Sequence, residues 1–577
     1  MALAAAPTVV TANAASATIS WVTQNPCVSV LMVTDNTYGQ PKKVWSDGDL
    51  GTLKSIRSVT VDLVHGTSYH FSVMLEDPST NDPYQWPPPI GTTPQVFGFK
   101  TPALQTTVPI TWRLDVSGSQ QAFPGMELFV VVSPEPLSGA IGGMQSVIQT
   151  EDSSITISPP TADITAHWMY GRVPPTLSAG KHVMVGPLYG FTYTYSNAPN
   201  IKLSISPTCA PGVYTVTAPV IATVDGSSQT VSWTFTVSPL LSISRPGSIP
   251  TPPIPGLANF MAKAASEGVK YADPAKVYGF GYYGDVWFYD GSRVMLQVND
   301  ALADGNPNWI ASANNIAAQY SNFVIAHNGG VFSLAAYTSG MYMLWKRGLG
   351  DTALYQQGID TLVNGSKTMF TSYPNIHVGY QRESAINLIT LVRYSQMTGA
   401  RAAYLTESAN IIAGHLGQLT QGGLFDQPFF DGISMEALIS AYEYDGTTFA
   451  WVPSFLAWYQ DWFWTHAIDT DSADATYGSA AYNVIPVNLW PACTFPNNLV
   501  MWYTGLNNLF CPVWAWLYNL TGNDTYRQRG DLLFEHTLDE PIYDGKWFSQ
   551  VYTWGFDYVH YRNSAGPVKS LADPGNN

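Results

Sequence analysis

From Pro7 to about Pro239, short runs of alternating apolar and polar residues are punctuated by Gly, Pro and Asp. Ala17–Val22, Ser58–Leu63, Tyr69–Met74, Leu128–Val132, Val213–Thr217 and Thr230–Val237 have the period of two that sends successive side chains to opposite faces of a strand. Runs of this kind predict antiparallel sheets stacked as sandwiches, and their span suits two of them at roughly 100 residues each. The expected boundaries are 7–102 and 107–240.

Next comes SRPGSIPTPPIPG, Ser244–Gly256, whose Pro246, Pro250, Pro252, Pro253 and Pro255 predict a stiff linker over 241–256. Beyond Gly256 the apolar spacing becomes helical. Apolar runs close at Asp304-Gly305, Gly350-Asp351, Thr398-Gly399, Asp445-Gly446 and Thr521-Gly522, at intervals of roughly 46–48 residues with the last stretched to about 76. The runs expected are one before Asp273, then 290–303, 308–326, 333–347, 352–370, 383–397, 402–419, 433–444, 448–467, 505–520, 524–538 and 549–561. Paired as hairpins, they predict a closed toroid over 257–565, with a loop at about 470–503 folded over its mouth. The fold class expected is multidomain: two all-β sandwiches followed by an all-α (α/α)6 toroid.

Composition narrows the function. The chain has 577 residues, 46% hydrophobic and only 11% charged, with 25 Lys+Arg against 41 Asp+Glu and a net charge of −16. That sign lacks the basic footprint needed for nucleic acid, and no apolar run reaches the roughly 20 residues of a membrane span. Cys27, Cys209, Cys493 and Cys511 are too scattered for a metal cluster or a disulfide scaffold. Cys493 and Cys511 admit two readings, a pair or two separate buried thiols. No cofactor or metal is expected. Low charge and the Ala2-Leu3-Ala4 opening suggest export to the extracellular space, with assembly into a virion or cell surface as the alternative.

Family likenesses sharpen these expectations. Pro7, Trp21 and Leu63-x-x-Gly66-Thr67-x-Tyr69-x-Phe71-x-Val73 resemble the core Trp and tyrosine corner of a fibronectin type III domain. Gly212–Thr217 and Trp233-x-Phe235-x-Val237 resemble a bacterial Ig-like domain. Trp287-Phe288-Tyr289-Asp290-Gly291-x-Arg293-Val294, the Tyr394-x-x-x-Thr398-Gly399 helix ending and Trp547–Tyr558 resemble the six-hairpin toroids of glycoside hydrolases and polysaccharide lyases. The Asp-Ala-Gly-Asp element of toroid endoglucanases is missing, so that mechanism does not carry over.

In toroids of this kind the cleft is lined by the loops leading into the inner helices, where unpaired N–H groups also favour anions. The candidate catalytic residues there are Asp285, Asp290, Glu383, Asp431, His377 and Arg382; the candidate sugar-binding residues are Trp287, Tyr289, Arg293, Tyr380, Gln381, Tyr552 and Trp554. Each has a structural reading too, since Asp290 and Asp431 suit N-caps and Glu383 suits a first helical turn. A glycoside hydrolase acting on an extracellular polysaccharide needs two carboxyl groups, and Asp285 or Asp290 is expected within about 10 Å of Glu383. The alternatives are a polysaccharide lyase, with His377 or Tyr380 as base and Arg382 or Arg293 on a uronate carboxyl, and a non-catalytic glycan-binding or structural surface protein. A polysaccharide or glycan is the partner expected in the first two.

Overall fold

A computed structural model of the full chain describes residues 6–12, 16–35, 43–45, 54–62, 68–76, 96–100, 111–117, 121–135, 144–150, 154–158, 176–178, 181–186, 200–222, 228–243, 251–280, 284–329, 338–372, 381–420, 428–484 and 500–564. A sheet-rich N-terminal region precedes a helical C-terminal region.

The first sheet system is organised by one long strand, β2 (Ser16–Asp35). Its first half pairs with β1 (Thr8–Ala12) and β4 (Lys54–Asp62), and its second half with β3 (Lys43–Trp45) and β5 (Ser68–Glu76), which in turn pairs with β6 (Val96–Lys100). The alternation seen in the sequence decides the faces. Ala17, Ile19, Trp21, Leu31, Val33, Val59, Val61, Tyr69 and Phe71 form one buried cluster. Between them, Thr18 meets Thr60 at 2.9 Å and Ser20 donates to Ser58 at 2.8 Å on the exposed face.

The second system has two sheets. One runs β12 (Thr176–Ser178), β13 (Lys181–Gly186), β10 (Met144–Thr150), β15 (Gly212–Ala222), β16 (Ser228–Val237), β8 (Gln121–Ala122); the other runs β11 (Ile155–Ser158), β14 (Asn200–Ile205), β9 (Glu127–Glu135), β7 (Thr111–Ser117). All pairings are antiparallel except β16 with β8.

This second system is not held apart by a spacer. Its buried residues, among them Phe123, Met126, Leu128 and Phe235, belong to the same continuous apolar cluster as the helices. Phe123 meets Phe455 edge-on at 6.5 Å, and the Glu127 N–H donates to Asn410 Oδ1 at 2.8 Å. The described parts of the Pro-rich stretch are likewise bound: the Leu241 N–H donates to Ser454 Oγ, Pro252 O accepts from Arg562, and Ile254 is buried. Proline stiffens a chain but leaves its carbonyls and ring faces available, so an extended segment lies along the helices.

The helical region contains, among the described residues, α1 (Leu257–Tyr271), α2 (Gly291–Leu302), α3 (Asn308–Ala326), α4 (Ser339–Lys346), α5 (Thr352–Ser372), α6 (Gln381–Thr398), α7 (Leu405–Leu419), α8 (Pro428–Tyr444), α9 (Val452–Ala467), α10 (Cys511–Thr521), α11 (Asp524–His536) and α12 (Gly545–Asn563). The even-numbered helices neighbour one another in succession, α2, α4, α6, α8, α10, α12, and α12 returns to α2. Each of α3, α5, α7, α9 and α11 packs on the even helices that flank it, and α1 lies against α2 and α12. The sequence explains the division. Every residue of α8 from Pro428 to Met435 is buried, as a helix apolar all round must be, whereas α11 buries a single stripe.

Helix starts moved where caps fix them. The last helix begins at Gly545 because the Asp544 carboxylate accepts the Trp547 N–H, and α8 opens on Pro428, whose missing N–H is harmless there. The stretch after α9 runs through turns over 470–479 into a short antiparallel pair, Ala480–Val484 with Val500–Tyr503, while 485–499 of the expected 470–503 loop lies outside the described residues. Cys511 is a free buried thiol donating to Asn507 O, and burial holds its pKa well above the usual thiol value; Cys493 lies outside the described residues.

Candidate functional site

The segment before α2 is built to be held from α12. The Gly545 N–H donates to Gly284 O, Ser549 Oγ to Val286 O at 2.6 Å, and Thr553 Oγ to Tyr289 O at 3.4 Å. Ser549 and Thr553 stand one turn apart on the same face of α12, so they act as two pegs under one loop. So fastened, the loop carries Tyr289 and Asp290 in consecutive left-handed conformations, φ 57° and 65°, which cost about 1–2 kcal/mol each for residues with a Cβ. Gly291 must be glycine, because a Cβ there would lie 2.2 Å from Val286 O.

At this end of the helices several charged groups meet. Glu383, in the first turn of α6, accepts from Arg382 Nε at 3.1 Å and Nη2 at 2.6 Å, and the Arg382 guanidinium lies 4.9 Å from the Phe430 ring of α8. Lys546, in the first turn of α12, places Nζ 5.4 Å from the Phe288 ring centre and 6.0 Å from that of Tyr289. Burial, and more weakly the charge of Arg382, lower the Lys546 pKa, while Asp544 works in the other direction.

One layer deeper, Arg293 of α2 ion-pairs with Glu436 of α8 at 2.6 Å and with Asp557 of α12. Gln297 donates to Asp557 at 2.9 Å, and Trp554 Nε1 to Glu436 Oε2 at 2.6 Å. Burial, outweighing Arg293 and reinforced by Glu436, pushes the Asp557 carboxyl up to about 7. The cavity beside this layer, lined by Met435, Pro512 and Tyr561, is about 10 Å³, the room of one water, so a sugar does not enter here.

The predicted site residues separate accordingly. Arg382 and Glu383 stand in the first turn of α6, and Tyr289 in the segment that leads into α2. Asp290 is an N-cap: its carboxylate accepts the Arg293 and Gly340 N–H groups, joining α2 to α4, and burial raises its pKa. Asp285 accepts from Lys276 Nζ and from the Val286 N–H, both at 2.7 Å. Asp431 is fully buried and accepts from Tyr459 of α9. Trp287 packs edge-on against Phe280 and Phe288, and Tyr552 lies under Phe260 of α1, so neither offers a face to a cleft. Trp554 and Arg293 belong to the buried layer. His377, Tyr380 and the side chain of Gln381 lie outside the described residues.

Lys546, Glu436 and Asp557 were missed by sequence reasoning. The last two had a signal, an isolated acid within an apolar helical run, GISMEALIS or TWGFDYV, in a chain poor in charge. Lys546 had none beyond its place at a helix start.

Among the described residues no helix is long and apolar enough to cross a membrane. No protein-family profile matches the chain, and no curated protein matches it in sequence. Among solved structures, one from Corynebacterium diphtheriae described as a membrane-anchored protein matches at 12% identity, covering 41% of this chain and 59% of that one. Its TM-score of 0.14 carries no argument about fold or function.

Proposed function

We propose that the chain is a carbohydrate-active enzyme, a glycoside hydrolase whose helical region is a closed (α/α)6 toroid, carried behind fibronectin type III-like and Ig-like sandwiches. The domain limits are 7–102, 107–240 and 257–565, and the substrate is an extracellular polysaccharide. One observation carries the reading: the N-terminal ends of α6 and α12 and the loop heading α2 bring a carboxylate and two cations, backed by the buried rings of Phe288, Tyr289 and Phe430, to one end of a ring of helices. That combination suits sugars, whose hydroxyls are held by a few well-placed charged hydrogen-bonding partners.

Glu383 is assigned as a catalytic carboxyl group, with Arg382 orienting it. Hydrolysis needs a second carboxyl on the other side of the scissile bond. Asp285, Asp290 and Asp544 are the nearby described acids, and each is engaged by Lys276 or by backbone N–H groups. A lyase is the second reading, favoured by the neighbouring cations Arg382 and Lys546, which suit a uronate carboxyl.

Digestion of a glycan panel separates these readings. New reducing ends without ultraviolet-absorbing unsaturation are expected, and Glu383→Gln should lower turnover by roughly 10²–10⁴, the usual contribution of a general acid or base. Unsaturated products would move the assignment to the lyase, and no cleavage to a binding or structural role.

A further inference from the structure

Trp287, Tyr320 and Asp290 are each more than nine-tenths buried, at 6%, 5% and 5% exposure. Burial takes a polar group out of solvent, at a cost that only a hydrogen-bond partner offsets. Among the described residues neither the Trp287 indole N–H nor the Tyr320 hydroxyl has such a partner. Both side chains, together with Asp290, line one small cavity where the loop heading α2 meets α3. Its other walls offer no polar group of their own: Ile316 and Met341 are apolar, and Ser292 donates its hydroxyl to Ala313 O at 3.0 Å. The Asp290 carboxylate, by contrast, can take another donor. Among the described residues its Oδ2 accepts the Gly340 N–H alone, at 3.0 Å, and a carboxylate oxygen has two acceptor sites. Burial first, and then the Asp290 charge, push the Tyr320 pKa up, so the phenol keeps its proton and stays a donor.

We propose that this cavity is a binding site for one ordered water molecule, which accepts from Trp287 Nε1, donates to the Asp290 carboxylate and bonds to the Tyr320 hydroxyl. Size and chemistry select that occupant. The cavity is about 10 Å³, the room of a single water. An indole N–H cannot ligate a metal cation, and a carboxylate repels an anion, whereas water both accepts and donates. Buried waters of this kind make about three bonds to groups that otherwise lack partners. The water adds a tie from α3 to the loop that Ser549 and Thr553 already hold from α12. It thereby helps to keep Tyr289 and Asp290 in their left-handed conformations.

A high-resolution crystal structure of the wild-type chain tests this directly and needs no variant to fold. It should show a fully occupied water within about 3.2 Å of Trp287 Nε1, Tyr320 Oη and an Asp290 carboxylate oxygen. A dry cavity, or Trp287 Nε1 and Tyr320 Oη paired with protein acceptors instead, overturns the proposal. Tyr320→Phe tests it in solution through the sign of its effect, since the ring and its contact with Phe280 are kept and the hydroxyl alone is lost. Removing a buried hydroxyl that has no partner leaves a protein as stable or more so, whereas removing one bonded to the water sacrifices that bond. In urea unfolding, Tyr320→Phe should therefore raise the unfolding equilibrium constant of the transition that includes the helices by roughly threefold to tenfold. An unchanged or smaller constant overturns the proposal as well.

Discussion

Arg293 reaches carboxylates on two other helices with one guanidinium, and this fixes how the interior responds to change. Replacing it with Met leaves Glu436 and Asp557 buried without their cation, a loss of about 3–5 kcal/mol for a broken buried pair. Chemical denaturation should show that loss in Arg293→Met near pH 8 and a smaller one near pH 5, where Asp557 is protonated. Asp557 adds a pH dependence of known sign. Its folded pKa, pushed up from 3.8 to about 7, means that between those values the native state holds a proton the unfolded chain has released. Stability from this group is therefore present below about pH 4, falls as pH rises towards 7, and is flat above, with a slope of at most about 1.4 kcal/mol per pH unit. Asp557→Asn has no such proton, so the wild-type minus variant difference in unfolding free energy should decline across that window. A difference that stays level, or rises, contradicts the assignment.

Elements are joined here by atoms rather than by broad surfaces alone. Asp290 caps α2 and accepts the Gly340 N–H of α4, so one carboxylate fixes two helix starts. Asp290→Ala removes both bonds and puts alanine in a left-handed conformation, and should cost about 2–3 kcal/mol in urea unfolding, while Asn, which tolerates that conformation and can still accept, should cost under about 1. Gly340→Ala is expected to be comparably harmful, because its Cβ would lie 2.5 Å from the Arg293 backbone N and 2.6 Å from Asp290 Oδ1. The helices themselves were legible, since apolar spacing at about 3.6 residues spans them and turn signatures punctuate them. Their roles were not. Trp287, Tyr552 and Trp554 read as stacking residues because they occur near helix starts, yet a helix has several faces, and spacing alone does not say which one meets a neighbour and which meets solvent. Trp554 turned inward to donate to Glu436, a partner 118 positions away that no local pattern reveals.

Across the whole molecule, the second sheet system and the helices share one apolar cluster, while the first sheet system has its own. Calorimetry should therefore resolve the first as a separate transition, and deleting residues 1–102 should leave the melting of the remainder unchanged. Phe123→Ala, which empties the contact with Phe455, should lower the transition of the remainder by about 3–5 kcal/mol, and the sheets and helices should still melt together. Composition had already told where strands give way to helices, because the period changes near residue 245. It did not show that the Pro-rich stretch is fastened down, since the bonds to Ser454 and Arg562 depend on residues two to three hundred positions further on. The most direct test of the functional account is digestion of the glycan panel by wild-type and Glu383→Gln proteins, read for reducing ends and for ultraviolet-absorbing unsaturated ends together. New reducing ends without unsaturation, reduced at least about a hundredfold in the variant, are the predicted result. Cleavage that Glu383→Gln leaves unchanged, or no cleavage of any glycan by the wild type, would contradict it.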